Sequence, residues 1–270
     1  MMNESGRPFA VVTGASSGIG YELARQFAGH GYDLLIASQH ERIADAERAL
    51  GETGVLVESV QADLATYEGV EKLYRRIQQD GRPLAAIAIN AGVGVSGDFA
   101  LETNLEDELN LIRLNVIAPV HLAKRVVRDM VRHGSGRILF TSSVAGTMPA
   151  PYLAVYGASK AFLSSFAQGV RYELKDTGVT VTVLMPGATE TNFFERAGME
   201  DTKLGTSEKD DPAEVAKDGF EAMMAGKDHV VAGSFKNKVQ ATAGRVLPDP
   251  VMAGLHARQS EPGSGEKGGK

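Results

Sequence analysis

The 270-residue sequence predicts a doubly wound α/β architecture, a mostly parallel seven-stranded sheet with helices on both faces. Three observations lead there. Short β-branched runs alternate with longer amphipathic stretches, which is the pattern of repeated βα units. Several of the short runs are almost continuously apolar, as strands covered by helices on both sides must be. A glycine-rich turn joins the first strand to the first helix, the place where such folds open toward a ligand.

In order, strands are expected at residues 9–13, 33–37, 54–60, 84–89, 137–141, 179–184 and, on a weaker pattern, 229–232. Helices fill the intervals. Residues 18–30 follow the glycine turn, and 41–50 and 67–79 carry charge on one side. Residues 104–132 make a stretch long enough to be bent or broken, and 152–176 is the longest regular candidate. The stretch 212–225 opens on Pro212, where a missing N–H costs least. Residues 190–211 are polar, poor in strand formers and long for a connection; a functional flap with a short helix around 193–197 is expected. Residues 1–258 then form one domain, and 259–270, rich in Gly, Ser and charge, form a disordered tail. No repeat of fixed period is visible.

Composition removes several function classes. Lys+Arg 28 against Asp+Glu 34 gives a net charge of −6, which argues against broad capture of nucleic acid or an anionic membrane. The absence of cysteine excludes disulfides, thiol catalysis and cysteine-ligated metal. No apolar run approaches the ~20 residues of a membrane span, and the opening Met1 to Pro8 has no secretory pattern, so a cytoplasmic location is expected. The six histidines are scattered without ligand spacing; surface or helix-end positions are expected for all of them, including His256, and no metal.

Two motifs carry chemistry. Thr13-Gly14-Ala15-Ser16-Ser17-Gly18-Ile19-Gly20 leaves the first strand and enters a helix. Glycines allow a sharp turn and a close approach, and the helix N-terminus offers free N–H groups to a pyrophosphate. The Gly-x3-Gly-x-Gly spacing meets the general fingerprint only loosely, and a tight corner that binds nothing has the same residues. Tyr156 and Lys160, in Tyr156-Gly157-Ala158-Ser159-Lys160, share one helix face at i and i+4. A neighbouring ammonium favours phenolate and brings a phenol toward acid/base use. Such a pair also occurs on helix surfaces that catalyse nothing.

With the further matches Asp63-Leu64, Asn90-Ala91-Gly92, Asn115, Ser142-Ser143 and Pro186-Gly187 followed by Thr191, the sequence resembles the short-chain dehydrogenase/reductase family, in its single-domain, nicotinamide-dependent branch. The resemblance runs from about residue 9 to 233. It implies a Rossmann-type fold and roles position by position. Ser143, thirteen residues before the tyrosine, would hydrogen-bond the substrate oxygen, leaving Ser142 to structure. Tyr156 would be the general acid/base, Lys160 would lower its pKa and hold ribose hydroxyls, and Asn115 would keep a relay water in place. Cofactor contacts would come from Gly14, Ser16, Ser17, Gly18, Ile19, Gly20, Gln39, Asp63, Leu64, Asn90, Ala91, Gly92, Pro186, Gly187, Thr189 and Thr191, besides Tyr156 and Lys160. Thr189 stands where relatives usually carry Ile or Val, and Ile89 where many carry asparagine.

The resemblance implies an NAD(P)-dependent oxidoreductase moving a hydride between a carbonyl and an alcohol; the alternative is a catalytically silent dinucleotide-binding sensor or scaffold. The end of the second strand, Ala37-Ser38-Gln39-His40, has no acid to select NAD, and Ser17 stands where NADP-selective relatives often have Arg or Lys. Ser16, Ser17, Gln39, His40 and Arg42 can still meet a phosphate, so NADP is favoured with NAD as the alternative. A medium-sized, largely apolar substrate is expected from Val93, Val95, Val144, Met148, Pro149, Phe193 and Phe194, with Arg196 the nearest cation. A homodimer or homotetramer is expected through the two long helices. Phe162, Phe166, Val170 and Leu174 form a face that meets a partner or covers the sheet, and Phe235, Val239 and Leu247 are further candidates.

Overall fold

The computed structural model describes residues 6–265, and among them seven parallel strands form one sheet. They are β1 (Phe9–Thr13), β2 (Asp33–Ser38), β3 (Val57–Gln61), β4 (Leu84–Ile89), β5 (Gly136–Thr141), β6 (Val179–Met185) and β7 (His229–Val231). Their order across the sheet is β3-β2-β1-β4-β5-β6-β7. β1 pairs with both β2 and β4, so the winding direction reverses beside it and a crevice opens at the strand ends there.

Both sheet faces are buried, which explains the continuous apolar runs. Ala10, Val12, Leu34 and Ile36 point to one side and pack with Leu23 and Phe27 of α1 (Gly18–Gly29) and with α2 (Ile43–Gly51). Phe220 and Met223 of α9 (Pro212–Met224) complete that layer. Phe9, Val11, Leu35 and Ile87 point the other way, onto α3 (Tyr67–Asp80), α5 (Ala118–His133) and α6 (Ala154–Glu173). Cap chemistry sets several ends. Thr66 accepts from Gly69 N–H at 3.0 Å to start α3, and Asp211 accepts from Ala213 N–H to start α9.

The stretch 104–132 is broken. α4 (Leu105–Ile112) runs into a π-helical turn, Arg113–Ile117, before α5, and Ala118 N–H reaches back five residues to Arg113 carbonyl. The extra residue brings Asn115 into the interior, 1% exposed. The third strand starts three residues later than expected, at Val57, because Gly54 takes a φ of +83° and belongs to the preceding turn.

The flap contains α7 (Phe193–Arg196) and α8 (Lys203–Thr206), and its two roots are pinned together by the Thr189–Asp210 bridge. Two helices were not expected: α10 (Phe235–Val246) and α11 (Asp249–Ser260). They correct the expected disordered tail over residues 259–265: Gln259 and Ser260 finish α11, and Gly263 and Gly265 donate to Asp201. Residues 266–270 of that tail lie outside the described residues. Among the described residues no helix is long and apolar enough to cross a membrane.

Candidate active site

The cleft at the strand ends begins with the turn after β1. Gly14 has a φ of +70°, and its N–H donates to Ala37 carbonyl at 2.8 Å, which fastens the turn to β2. A Cβ on Gly14 would stand 2.9 Å from Ala91 Cα, and one on Gly20 would collide with the Gly14 carbonyl and the Asn90 amide. Asn90 holds this packing: its amide donates to Thr13 carbonyl at 3.1 Å, while Thr13 hydroxyl accepts from the Asn90 and Ala91 N–H groups. Ser17 precedes α1 with no side-chain cap on the helix, leaving the first amides to face the cleft. A glycine cradle beneath uncapped helix amides fits a pyrophosphate.

At the end of β2, Ser38 hydroxyl donates to Ser16 hydroxyl at 3.0 Å and accepts from His40 N–H at 3.2 Å. Burial holds the His40 pKa below its usual value, and the charges of Arg196 and Arg42 push it the same way. The flap thus brings a cation to the wall opposite β2. Asp63 accepts from Ala65 N–H and so braces its own turn, at the cleft edge beside buried Leu64.

The other end of the cleft holds the hydroxyl and amine groups. Ser143 follows β5, accepts from Ala145 N–H at 3.1 Å and donates to Pro186 carbonyl at 3.4 Å, with its hydroxyl on the Tyr156 side of the cleft. Ser142, next to it, donates to Lys160 carbonyl at 2.8 Å and ties α6 to the strand. Lys160 Nζ donates to Thr141 carbonyl at 2.9 Å and lies 5.6 Å from the centre of the Tyr156 ring. Here the structure differs from the sequence-based expectation. Burial pushes Tyr156 up to about 12, the neighbouring Ser143 hydroxyl opposes this, and burial pulls Lys160 itself down to about 8.

Asn115 stands behind this wall rather than in it. Its amide donates to Val93 carbonyl at 2.9 Å and its oxygen accepts from Val93 N–H at 3.0 Å, a two-point clamp on the chain after β4. The same amide meets Ser159 hydroxyl at 3.2 Å, and Gly92 leaves room for both Asn115 and Lys160. Pro186 carbonyl accepts from Val144 N–H, and Thr191 hydroxyl accepts from Phe193 N–H to start α7. The expected cofactor residues line this one cleft, together with Ser143 and His40; Arg42 and Asn115 do not.

The substrate end is apolar. Phe193 places its ring 5.2 Å from that of Tyr156, among Val93, Val95, Leu153, Phe194 and Met199. The cleft also takes Gln240, His256 and Gln259 from α10 and α11, which the motifs did not reveal. For His256 the expectation of a surface or helix-end position is corrected: it is 4% exposed. Among the described residues no group of three or more metal-ligating side chains converges.

Comparison with known proteins agrees with this geometry. The family model described as short chain dehydrogenase matches residues 8–201. The chain is 33% identical over 190 residues to the uncharacterized oxidoreductase YmfI of Bacillus subtilis, covering 68% of this chain and 76% of that one. A short-chain dehydrogenase from Sphingobium yanoikuyae in complex with NADPH superposes with a TM-score of 0.76 at 32% identity, over 83% of this chain and 87% of that one. A bulky-bulky ketone specific alcohol dehydrogenase from Comamonas testosteroni superposes with a TM-score of 0.75 at 28% identity, over 90% and 100%.

Proposed function

This chain belongs to the short-chain dehydrogenase family of oxidoreductases, and on that premise we propose that it moves a hydride reversibly between NADP(H), or NAD(H), and a carbonyl/alcohol pair, with Tyr156 as general acid/base. One observation carries the reading. Ser143, Tyr156 and Lys160 meet in a buried, apolar end of the cleft whose other end is the glycine cradle. The nicotinamide dinucleotide, when bound, supplies the hydride chemistry. Gly14, Gly18, Gly20 and the α1 amides hold its pyrophosphate, and Asn90 keeps that cradle in shape. Lys160 holds the ribose hydroxyls, while Pro186, Gly187, Thr189 and Thr191 border the nicotinamide.

Ser143 donates to the substrate oxygen and stabilises the charge that gathers there during reduction. Tyr156, protonated at neutral pH because burial raises its pKa, delivers the proton to that oxygen. Asn115 fixes Val93 and with it the floor of the site. The experiment is a panel of ketones and aldehydes followed at the reduced-nicotinamide absorbance. Turnover of apolar, medium-sized carbonyls supports the reading; tight NADPH binding with no turnover on any member overturns it in favour of a sensor.

The Ser16, Ser38, His40 and Arg42 corner, faced by Arg196, suits a 2′-phosphate better than a bare ribose, so NADP(H) is the preferred partner. Gln39→Asp should bring a carboxylate to this corner, favouring ribose hydroxyls and repelling the phosphate. Preference in kcat/KM is expected to move at least ~10-fold toward NADH, a change of about 1.4 kcal/mol. Parallel kinetics with the two cofactors check it.

The subunits associate. Phe99 and Phe162, both exposed, line a groove with Ile112 and Val116, and Leu101, Leu105 and Ile117 are exposed as well. Phe166, Val170 and Leu174 pack on the sheet, so the free part of the α6 face is Phe162 and its surroundings. Light scattering at micromolar concentration should give twice or four times the mass of one 28.6 kDa chain; a single-chain mass would refute association.

A further inference from the structure

The inward side of α10 is built from small residues with one polar exception. Ala241 packs with Val144 and Met148, and a Cβ on Gly244 would stand 2.8 Å from Thr147 carbonyl. One turn before Ala241 the same side carries Asn237, which is 5% exposed. A buried carboxamide is costly unless its groups find partners. Its nitrogen uses both hydrogens, donating to Asp210 carboxylate at 2.7 Å and to Ala232 carbonyl, just after β7, at 2.8 Å. The amide lies against Gly187: a Cβ on that glycine would collide with Oδ1, Cγ and Nδ2 of Asn237.

Asp210 is the far root of the flap. Its N–H donates to Ala188 carbonyl at 2.8 Å and its carbonyl accepts from Glu190 N–H at 2.9 Å, which makes the bridge at Thr189. Its carboxylate turns toward α10. One oxygen takes Asn237 and the other accepts from Ser234 N–H at 3.0 Å. That helix has no acid in its first turn, so the flap supplies the negative charge its N-terminus favours. Gly233, with a φ of +79°, has no side chain to block the carboxylate.

These contacts close a circuit. It runs from Gly187 through 188–190 to Asp210, from Asp210 to Asn237, and from Asn237 back onto Gly187. Gly187, Ala188, Thr189 and Thr191 line the cleft, whereas Asn237 does not. The amide therefore reaches the cofactor space only through the residues it holds. Its bond to a carboxylate belongs to the stronger class of hydrogen bond.

We propose that Asn237 is a positioning residue for the nicotinamide half of the cofactor: through Asp210 and Gly187 it holds both flap roots where Thr189 and Thr191 border the ring. It thereby sets the affinity for the dinucleotide without touching it. The proposal deepens the oxidoreductase reading and rests on it for the binding test alone. The glycine cradle and the β2 corner lie outside the circuit, so the adenosine half of the ligand should not sense Asn237.

The test uses the full chain and two ligands, NADPH by fluorescence titration and adenosine 2′,5′-bisphosphate, which has no nicotinamide, by calorimetry. NADH and adenosine monophosphate replace them if the parent prefers NADH. Asn237→Ala should weaken NADPH binding about tenfold, as when about one molecule in ten keeps the competent arrangement. The bisphosphate Kd should stay within about twofold. Gly187→Ala should do the same alone and add less than about twofold to Asn237→Ala, whose truncation vacates the space the new Cβ needs. Asn237→Asp keeps the shape but sets two carboxylates together, and should be no better than alanine. Adding Asp210→Asn restores a donor between them and should bring NADPH affinity within about threefold of the parent. Hydrogen exchange without ligand should quicken at 188–190, 210 and 234 in each single variant. Equal loss of both ligands marks a merely structural residue and overturns the proposal, as does unchanged NADPH affinity in Asn237→Ala or a paired exchange that recovers nothing. If the parent binds neither dinucleotide, the oxidoreductase reading fails, and the exchange pattern alone decides whether Asn237 holds the flap roots.

Discussion

Tyr156→Phe is expected to lower turnover about 10²–10⁴-fold in both directions, the usual effect of removing a positioned acid. The loss should fall on kcat. Phenylalanine keeps the ring that packs against Phe193 and Leu153, so the apolar wall survives. NADPH affinity should change by less than about threefold, and stability by less than about 1 kcal/mol, since only the polar contact with the Ser143 hydroxyl is lost. The direction of the phenol shift fixes the pH behaviour of the parent enzyme. A group pushed up to about 12 stays protonated across the neutral range, so carbonyl reduction has its donor there. Alcohol oxidation needs the phenolate, and its rate should climb with pH through the alkaline range. A fluorescence titration beside steady-state kinetics checks both statements; substantial turnover by the phenylalanine variant would remove Tyr156 from the mechanism.

Lys160→Met should trade activity for stability. Burial pulls the ammonium from 10.5 down to about 8, so folding a charged Lys160 at pH 7 costs roughly 3 kcal/mol. The sign follows from proton counts. Between about 8 and 10.5 the unfolded chain holds more protons at this lysine than the folded one, so the penalty is full below pH 8 and fades as pH rises. Methionine removes the penalty and leaves Thr141 carbonyl without its donor, a cost of about 1–2 kcal/mol. The net gain of roughly 1–2 kcal/mol should raise Tm at pH 7 by about 2–6 °C. The difference between variant and parent should shrink toward pH 10. Turnover should fall at least ~10²-fold and NADPH binding should weaken, because the contact proposed between Lys160 and the ribose hydroxyls is removed. Melting curves at pH 7 and 9.5 test the linkage: a variant less stable than the parent at pH 7 would show that the ammonium is not paying a desolvation cost.

What could be recognised in the sequence was what local chemistry dictates. The strands of the sheet interior are continuous apolar runs because helices cover both faces, and Gly14 and Gly20 stand where a side chain would strike backbone or the Asn90 amide. That Tyr156 and Lys160 share one helix face could be read from their spacing, whereas the spacing alone does not separate them from a pair on a helix that catalyses nothing. α10 escaped notice because its outward positions, Phe235, Val239 and Val246, are apolar like parts of its buried face, which erases the contrast that marks an amphipathic helix. α11 shows the converse, with His256 and Ser260 inside and Val251 and Leu255 outside. The approach of Arg196 to His40 was equally hidden, since it depends on how the flap folds back over a cleft formed 150 residues earlier. The influence of Lys160 on the phenol was not legible either, since it depends on burial: both groups are desolvated, which raises the tyrosine and lowers the lysine, while one ammonium N–H is held by Thr141 carbonyl.

The π-helical turn at Arg113–Ile117 decouples chain length from helix phase. Each residue of an α-helix advances the chain by 100°, so a residue lost within α4 or α5 would rotate one against the other by that angle. If α4 stayed seated, Leu122, Val126 and Met130 would swing off the sheet. If α5 stayed seated, Glu108 and Leu111 would leave the interior instead. The wide turn already takes up one residue beyond the α-helical count, since Ala118 N–H reaches back five residues to Arg113. Removing that residue would restore ordinary bonding and leave both flanks in phase. What it would disturb is Asn115, which lies in the turn and is held to Val93 at both ends of its amide. A deletion there is therefore expected to loosen the chain after β4 while α4 and α5 stay packed.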